Sequence, residues 1–309
     1  MSYFIGLDWG TTVFRAYLME SEKQVLCDKR VSPGGMSTLL RENVEDYLVS
    51  RIQNWLQRYG KDTLVIGSGM IGSDMGLEWV DYVSCPSTKE NILTNIKRSR
   101  LSSVNLYLVP GLMYQGEDNQ IDSLRGEETQ LLGLNFSADR KVVCMPGTHS
   151  KWVEVENHTV KRFRSALTGE LYACLERSSL IRGAQEWHPT AFQYGVESGQ
   201  KNEALLSALF QVRSHSNFQK IPARHSQCFL SGLLIATEIK EMCQYFQLNE
   251  NVSELVVVGA NELAHIYQQA LDNMNIQVSV ISDVEANTRG FLSIHQALHS
   301  DENRFSIQY

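Results

Sequence analysis

Ile5–Met19 reads Ile-Gly-Leu-Asp-Trp-Gly-Thr-Thr-Val-Phe-Arg-Ala-Tyr-Leu-Met. Apolar runs on both sides flank the polar turn Asp8–Thr12, which is the pattern of a β-hairpin. A turn that approaches a phosphate closely needs glycine at its tip, because a β-carbon would block the approach, and Gly10 supplies it. Successive amides, with the hydroxyls of Thr11 and Thr12, would bind an anion. An ordinary surface hairpin uses the same residue types, so both interpretations are open at this point.

The same arrangement recurs in the middle of the chain. Lys141–Met145 predicts a buried strand, and Pro146-Gly-Thr-His-Ser-Lys-Trp152 predicts a turn that leads into its hairpin partner. Internal repetition of such a unit is a stronger sign of a shared role than one copy alone. Here Thr148 and Ser150 would donate to phosphate oxygens, and Lys151 either adds positive charge or is simply solvated.

Composition excludes several classes of protein. The chain has 309 residues, 43% apolar and 20% charged, which is typical of a globular protein of one large domain or two ordinary ones. A formal charge of −7 without a long basic block argues against nucleic acid as the main partner. No run predicts a membrane span or a secretory signal. The six cysteines show no paired metal or disulfide spacing, so we expect a reducing cytoplasm.

Strands and helices alternate in the manner of an α/β fold. Val44–Tyr59 has helical spacing of its apolar residues, and Thr63–Ile66 predicts a buried strand that runs into the glycine-rich loop Gly67–Gly76. Such a loop is a common place for ligand contacts, although a flexible linker has the same composition. Near the end of the chain, a β-branched strand leads through Gly259-Ala-Asn261 into a helix, which suits an adenine or ribose platform.

Carboxylates stand at two of these places. Asp8, at the end of the first strand, would hold a hydrated cation beside a bound anion. Gly126 precedes Glu127 and Glu128 at the predicted start of a helix. Acids in a first turn are favoured by the helix dipole alone, so the alternative to a general base is a purely structural role. Arg125 would tune such a base or bind an anionic substrate group.

The later part of the chain predicts further helices. Glu203–Arg213 and Phe229–Phe246 are two of them, and Gly232 within the second allows close approach by another backbone or by a ligand. Ser214–Gln227 is polar and predicts a loop.

With both hairpins and the later glycine turn identified, the chain resembles the actin-like ATPase superfamily, which includes sugar kinases, acetate kinase, Hsp70 and actin. The three motifs occur in the order of that superfamily's two phosphate motifs and its adenosine motif. Within the superfamily the chain is similar to the 2-dehydro-3-deoxygalactonokinase family. The stretches that carry this resemblance are Asp8–Thr12 with Arg15, Gly69–Ser73, Arg125–Thr129, Pro146–Trp152, Thr168–Glu170 and Leu230–Leu234.

The resemblance implies an α/β fold of two ribonuclease-H-like lobes with an active-site cleft between them. We expect residues 1–136 to form the sugar-acid lobe and residues 137–309 the nucleotide lobe, with helix 285–299 packing back toward the first. The implied reaction transfers the ATP γ-phosphoryl group, with Mg²⁺, to the 6-hydroxyl of 2-dehydro-3-deoxy-D-galactonate. It belongs to galactonate catabolism.

The resemblance also implies roles for single residues. Glu127 is preferred to Glu128 as the base, with both acids kept as candidates, and Asp8 organises Mg²⁺. Arg15 would neutralise transferred charge or, alternatively, form an ordinary salt bridge at the edge of the strand. The nucleotide contacts are Gly10, Thr11, Thr12, Gly147, Thr148, Ser150, Lys151, Gly259, Ala260 and Asn261. The sugar-acid contacts are Ser68, Gly69, Met70, Ser73 and Arg125.

One departure leaves the acceptor open. The family usually has Arg-Gln-Gly-Trp after Ser73, whereas this chain has Asp74-Met-Gly-Leu, with Trp79 displaced. Alternatives are therefore a kinase for another hexonate or a neutral sugar, and an ATP-driven switch on the same fold. A sugar-sensing regulator lacks a basic DNA-binding module before Tyr3. The C4 epimer of the acceptor and a possible homodimer are not determined by the sequence.

Overall fold

The structure is a computed structural model that describes residues 2–40, 43–116, 119–134, 139–178, 181, 186–201, 204–248 and 254–305. The chain divides into two compact units. The first comprises Met1–Ser137, His158–Arg162 and Asp283–Tyr309, and the second comprises Ala138–Asn157 and Phe163–Ser282. The predicted boundary at residues 136 and 137 lies outside the described residues. Among the helices described here, none is long and apolar enough to cross a membrane.

The strands, in chain order, are β1 (Tyr3–Trp9), β2 (Phe14–Glu20), β3 (Val25–Ser32), β4 (Leu64–Gly69), β5 (Val83–Ser84), β6 (Ser87–Thr88), β7 (Lys97–Arg98), β8 (Leu106–Leu108), β9 (Leu112–Gln115), β10 (Ile121–Leu124), β11 (Lys141–Met145), β12 (Ser150–Glu156), β13 (Thr159–Ala166), β14 (Glu254–Gly259) and β15 (Ser279–Ser282). The α-helices are α1 (Val44–Tyr59), α2 (Lys89–Thr94), α3 (Glu127–Leu132), α4 (Thr168–Glu176), α5 (Pro189–Lys201), α6 (Leu205–Asn217), α7 (Ser226–Phe246), α8 (Asn261–Asn273) and α9 (Asp283–Phe305).

The main sheet of the first unit has the strand order β3-β2-β1-β4-β8-β7. The opening hairpin is confirmed: β1 pairs antiparallel with β2, and Asp8 lies opposite Arg15. On its other side β1 pairs parallel with β4, so that Asp8 also lies opposite Ser68. Because the carboxyl ends of parallel strands meet at one edge of a sheet, the Asp8–Thr12 turn and the Gly69–Ser73 loop lie at the same edge.

The sheet of the second unit repeats this arrangement. Its order runs β15-β14-β11-β12-β13, with β11 antiparallel to β12 and parallel to β14. The predicted second hairpin is therefore confirmed, with Met145 opposite Lys151. The α/β class and the ribonuclease-H-like arrangement implied by the resemblance are confirmed as well.

Helix α1 shows how the sequence pattern produces the packing. Leu48, Ile52 and Trp55 recur at helical spacing, and all three are buried in the core of the first unit. The helix ends at Gly60, whose φ of 112° is a conformation that glycine adopts at little cost. The prediction of a helix over Val44–Tyr59 is confirmed.

Helices α5 and α7 cross at their glycines in the second unit. A β-carbon at Gly232 would clash with the carbonyl oxygen of Phe192, and one at Gly195 would clash with that of Phe229. The expected close approach at Gly232 is therefore made by a helix backbone. Periodicity did not predict α5, because its glycines weaken the apolar pattern.

The predicted loop Ser214–Gln227 is wrong at both ends. Helix α6 continues to Asn217, and α7 already begins at Ser226. Polar residues at the ends of these helices resemble a loop in sequence, but Val212 and Cys228 are buried and hold both helices in the core. Burial on one face of the helix therefore overrides the polarity of the other.

Candidate active site

The Gly10–Thr12 turn is supported from behind by the loop that precedes α1. The Gly10 amide closes the turn by donating to the Val13 carbonyl at 2.9 Å. The carbonyls of Gly10 and Thr11 accept from the amides of Met36 and Ser37 at 3.1 and 3.0 Å. Thr11 and Thr12 remain exposed, so the turn presents its hydroxyls to solvent on a fixed backbone.

Asp8 lies beside this turn in a largely buried position. Its Oδ2 accepts from Arg15 Nη1 at 3.1 Å and from Asn287 Nδ2 at 3.4 Å. Burial raises the pKa of the Asp8 carboxyl above its ordinary value, and the Arg15 charge opposes that rise. No sequence pattern indicated Asn287, which comes from α9 and is fully buried.

The fit of Asp8 to a magnesium ion can be judged from its donor set. No group of three His, Cys, Asp or Glu side chains in the described part of the chain could hold a metal ion unaided. Mg²⁺ usually keeps several waters and binds through one or two carboxylates together with substrate phosphates. A single carboxylate next to a phosphate-type turn fits that pattern.

Glu128 is enclosed at the start of α3. Its side chain is 0% exposed, its Oε1 accepts from the Ser68 hydroxyl at 3.0 Å, and its Oε2 accepts from the Gly126 amide at 2.6 Å. Thr129 completes the network by donating to the Ser68 Oγ at 2.6 Å. Burial, with a smaller contribution from the charge of Glu127, raises the pKa of Glu128 to about 8.

Glu127 differs from its neighbour in exposure. It is half-buried, and its Oε2 accepts from the Arg125 amide at 3.0 Å. Gly126, with a φ of 112°, reverses the backbone so that Glu128 can reach back to its amide. The two adjacent acids therefore have different environments, one enclosed and one reached by solvent.

Arg125 is held by the loop that follows β4. Its Nη2 donates to the Val80 carbonyl at 2.6 Å, and the guanidinium lies 4.2 Å from the Tyr82 ring centroid and 5.6 Å from that of Trp79. Its Nε and Nη1 are buried, and neither has a hydrogen-bond partner among the residues that the structure describes. Buried N–H groups are normally satisfied, so these two are exceptions within the described part of the chain.

The remaining predicted sugar-acid contacts lie around the same loop. Ser68 and Ser73 are buried, and the Ser73 hydroxyl donates to the Met70 carbonyl at 2.7 Å. Gly69 has a φ of 87° and packs against the Trp9 backbone, where a β-carbon would lie 2.6 Å from the carbonyl oxygen. Both serine hydroxyls are thus engaged within the protein, and Met70 is half-buried.

The second turn is fixed by the start of α4. The Glu170 amide donates to the Thr148 carbonyl at 2.9 Å, and Gly169 packs so closely on Gly147 that a β-carbon would clash with its carbonyl oxygen. Thr148 is exposed. The other two predicted contacts point inward: Ser150 Oγ lies 2.9 Å from the Tyr267 hydroxyl, and Lys151 Nζ donates to Ser165 at 2.6 Å.

A cavity of about 330 Å³ opens beside this turn within the second unit. Gly147 and Thr168 line its end near the turn, and the rest of its wall is mostly apolar, including Tyr172, Trp187, Leu234, Ile235, Leu263 and Ile266. Its volume and lining suit an apolar ligand group. The sequence did not single out these wall residues, because they come from separate helices with ordinary apolar patterns.

The predicted adenosine turn lies next to the same region. Gly259 ends β14 and is buried. A β-carbon added at Gly259 would lie 3.6 Å from the Pro146 side chain, which belongs to the second turn. Ala260 and Asn261 are exposed at the start of α8, which supplies Leu263 and Ile266 to the cavity wall.

Comparison with known proteins gives the chain a family. Residues 8–294 match the 2-keto-3-deoxy-galactonokinase family. The chain belongs to this family. The match spans both units and includes all of the predicted site residues.

Curated relatives agree with membership of this kinase family. A 2-dehydro-3-deoxygalactonokinase of Escherichia coli is 33% identical over 300 residues, covering 96% of this chain and 98% of the relative. A protein of Rhizobium meliloti named as a probable 2-dehydro-3-deoxygalactonokinase is 29% identical, with 96% and 97% covered.

Solved structures agree on the fold. A crystal structure from Sinorhizobium meliloti, assigned as a 2-dehydro-3-deoxygalactonokinase protein, has a TM-score of 0.85 at 28% identity and covers 96% of this chain and 99% of its own. The activator of the 2-hydroxyisocaproyl-CoA dehydratase from Clostridium difficile has a TM-score of 0.52 at 12% identity, with 97% of each chain covered, and shows likeness of fold alone.

Proposed function

We propose that this chain is an ATP-dependent kinase that transfers the γ-phosphoryl group to the 6-hydroxyl of 2-dehydro-3-deoxy-D-galactonate. The observation that carries the proposal is the match, over 96% of this chain, to the 2-dehydro-3-deoxygalactonokinase of Escherichia coli. The reaction would prepare the sugar acid for the galactonate catabolism that the family name implies.

The second unit would bind the nucleotide. The apolar cavity beside the turn has the size and lining for an adenine base. Gly147 and Thr148 would hold phosphate oxygens, since their turn is exposed and its backbone is fixed by α4. The exposed Thr11 and Thr12 of the first unit would serve the phosphates in the same way.

Glu127 would act as the general base toward the acceptor hydroxyl. It is the more exposed of the two adjacent acids, and a base must come within hydrogen-bond reach of the hydroxyl that it activates. Glu128 would support the loop instead, because both of its oxygens are already occupied in a buried network.

Asp8 and Arg15 would serve the transferred group. Mg²⁺, when bound with ATP, neutralises charge on the phosphates. Asp8 would hold the water shell of that ion, and Arg15, which is partly exposed beside it, would offset negative charge on the phosphoryl oxygens.

Arg125 would bind the carboxylate of the sugar acid. Its buried Nε and Nη1 have no acceptor in the described chain, and a carboxylate would supply one. In this assignment Arg125 would take over carboxylate binding from the arginine that the family usually has at the position of Asp74.

A prediction follows for the acceptor. We expect Arg125→Gln to raise the KM for the sugar acid at least ~10-fold, the effect of losing one hydrogen bond to a charged group, with the KM for ATP unchanged. Arg125→Lys keeps the charge but not the two-pronged geometry, so it should restore only part of the affinity. Steady-state kinetics with each substrate varied in turn would measure both. An unchanged KM for the sugar acid in Arg125→Gln would remove Arg125 from the acceptor site.

A kinase for another hexonate is the second candidate, and the observation that favours it is Asp74 in place of the family's arginine. Different charge at this position would alter the acceptor pocket without altering nucleotide binding.

The experiment that tests the proposal is a coupled ADP-release assay over keto-deoxy acids, aldonic acids and neutral sugars. We expect 2-dehydro-3-deoxy-D-galactonate to give the highest kcat/KM. A preference for an aldonic acid or a neutral sugar would support the second candidate. ADP release that does not depend on any acceptor would contradict both and favour an ATP-driven switch.

A further inference from the structure

Glu238 is a buried carboxylate that the proposed reaction does not use. It lies on α7 in the second unit and is 4% exposed. Its Oε1 accepts from the Trp152 indole Nε1 at 2.7 Å, and its Oε2 accepts from the Tyr267 hydroxyl at 2.8 Å. Burial raises the pKa of the Glu238 carboxyl above its ordinary value, and side-chain hydrogen bonds from Thr168, Trp152 and Tyr267 oppose that rise.

The donors around Glu238 come from three elements that border the nucleotide region. Ser150 and Trp152 lie on β12, directly after the Gly147–Thr148 turn. Thr168 begins α4, whose next residues pack against that turn, and Tyr267 lies on α8. Thr168 and Tyr267 also line the apolar cavity. One carboxylate therefore contacts both the strand that leaves the turn and the wall of the cavity.

The chemistry of the cluster requires an acceptor at this point. The indole N–H of Trp152 can only donate, and the Tyr267 hydroxyl donates to Glu238, so that Ser150 donates in turn to the Tyr267 oxygen. A carboxylate accepts from Trp152 and from Tyr267 at once, with one oxygen for each donor. An amide offers one acceptor oxygen, and its NH₂ group would face the Tyr267 hydroxyl as a second donor. The isosteric exchange Glu238→Gln therefore reverses at least one hydrogen bond while preserving volume.

We propose that Glu238 is a positioning residue that fixes the second phosphate turn and the cavity wall in one geometry, so that binding of the base and of the phosphates depends on the same buried carboxylate. The inference rests on the proposed use of ATP by this chain. Glu238 touches neither nucleotide nor acceptor; it acts through Ser150, Thr168 and Tyr267.

The experiment measures ADP binding by titration calorimetry for the wild-type chain and for Glu238→Gln, Tyr267→Phe and Glu241→Gln. Glu241 is the matched control, because it lies on the same helix, is 56% exposed and forms an ion pair with the partly exposed Arg164 at 3.5 Å. We expect Glu238→Gln to weaken ADP binding about 10-fold or more, the factor for one hydrogen bond to a buried charge, and Glu241→Gln to leave it unchanged. Tyr267→Phe should weaken it similarly, and the double variant should lose less than the product of the two effects.

Kinetics separate positioning from general loss of structure. We expect the KM for ATP to rise in Glu238→Gln while the KM for the sugar acid stays at the wild-type value. An equal rise in both KM values would overturn the inference, as would wild-type ADP affinity in Glu238→Gln and Tyr267→Phe, and the kinase proposal would stand in either case. If Glu238→Gln does not fold, Tyr267→Phe, which removes a single oxygen, decides alone. A wild-type chain that binds no ADP would overturn both proposals.

Discussion

At the residue scale, Glu127 and Glu128 are neighbours in the sequence but have different environments in the structure. Glu128 has no exposed surface and is bonded to Ser68 and to the Gly126 amide. Glu127 is half-buried and lies next to the guanidinium-bearing residue Arg125. The buried Glu128 therefore fixes the Gly126 backbone, from which the more exposed Glu127 follows.

This difference predicts opposite outcomes for the same substitution at neighbouring positions. We expect Glu127→Gln to lower kcat by at least ~10²-fold, the lower end for loss of a general base, with ADP binding retained. Glu128→Gln is the matched control and should stay within a few-fold of wild type, since the amide oxygen can accept from the Gly126 amide and the NH₂ group can donate to the Ser68 Oγ. Single-turnover assays would measure the chemical step directly. A near-normal rate in Glu127→Gln would exclude Glu127 as the base.

A second prediction concerns pH and stability. Burial raises the pKa of Glu128 from 4.5 to about 8 in the folded chain. Between about pH 5 and pH 8 the folded state therefore retains a proton that the unfolded chain has released, so the carboxyl weakens folding as the pH rises through that window. Glu128→Gln cannot ionise at this position. We therefore expect the free energy of unfolding of the variant, relative to that of the wild type, to increase as the pH rises. Urea unfolding at several pH values measures this difference, and a constant difference across the window would contradict the shift.

At the element scale, α9 is seated in the first unit by contacts that only glycine permits. A β-carbon at Gly290 would clash with the Thr129 carbonyl of α3, and one at Gly133 would clash with the Ala286 carbonyl of α9. Gly6 of β1 leaves room for the Phe291 ring in the same way. The same helix brings Asn287 to Asp8. α9 thus connects the helix of the two acids to the strand of the first turn.

We expect Gly290→Ala to destabilise folding by about 1–3 kcal/mol, the usual cost of overpacking, and to lower kcat because α3 must move away from α9. Gln296→Ala is the control, since it places an alanine on the exposed side of the same helix. It should change neither the free energy of unfolding nor kcat. Thermal unfolding and steady-state kinetics measure the two effects. Wild-type stability in Gly290→Ala would show that the crossing relaxes without cost.

At the scale of the whole molecule, the two units repeat one architecture around separate cores. Each sheet joins an antiparallel hairpin to a parallel strand at the same place, so each unit presents a turn at the end of its first strand. The first unit adds two acids and an arginine, and the second adds an apolar cavity. The two units therefore share one scaffold and differ in the side chains that it carries. In the proposed function, this difference assigns acceptor binding to the first unit and nucleotide binding to the second.

This division predicts where each ligand protects the backbone. We expect the sugar acid alone to slow amide exchange at Gly69–Ser73 and Gly126–Glu128 of the first unit. ADP should slow exchange around Gly147–Thr148 and the start of α8 in the second unit. Hydrogen–deuterium exchange with peptide resolution measures both. Protection of the second unit's cavity by the sugar acid alone would contradict the assignment of binding sites to units.

The sequence by itself determined the local elements and the chemistry at their ends. Alternating and helical apolar patterns predict the two hairpins and α1, and turn residues place Asp8, Gly10 and Thr148 at or beside the turns of those hairpins. These features depend on residues close together in the chain, which is why single-sequence patterns reach them. Helix α5 has a weaker local signal, because glycines stand at two of its buried positions, Gly195 and Gly199, where they pack against α7.

Only the tertiary structure decided which polar groups are available to a ligand. Ser68, Ser150 and Glu128 look like site residues in sequence, yet each is bonded inside the protein to a partner far away in the chain. Asn287 and the cavity wall carry no sequence signal at all, because burial and hydrogen bonding are set by residues that meet only after folding. The sequence shows which polar side chains the chain contains, and long-range packing decides which of those side chains are exposed to solvent.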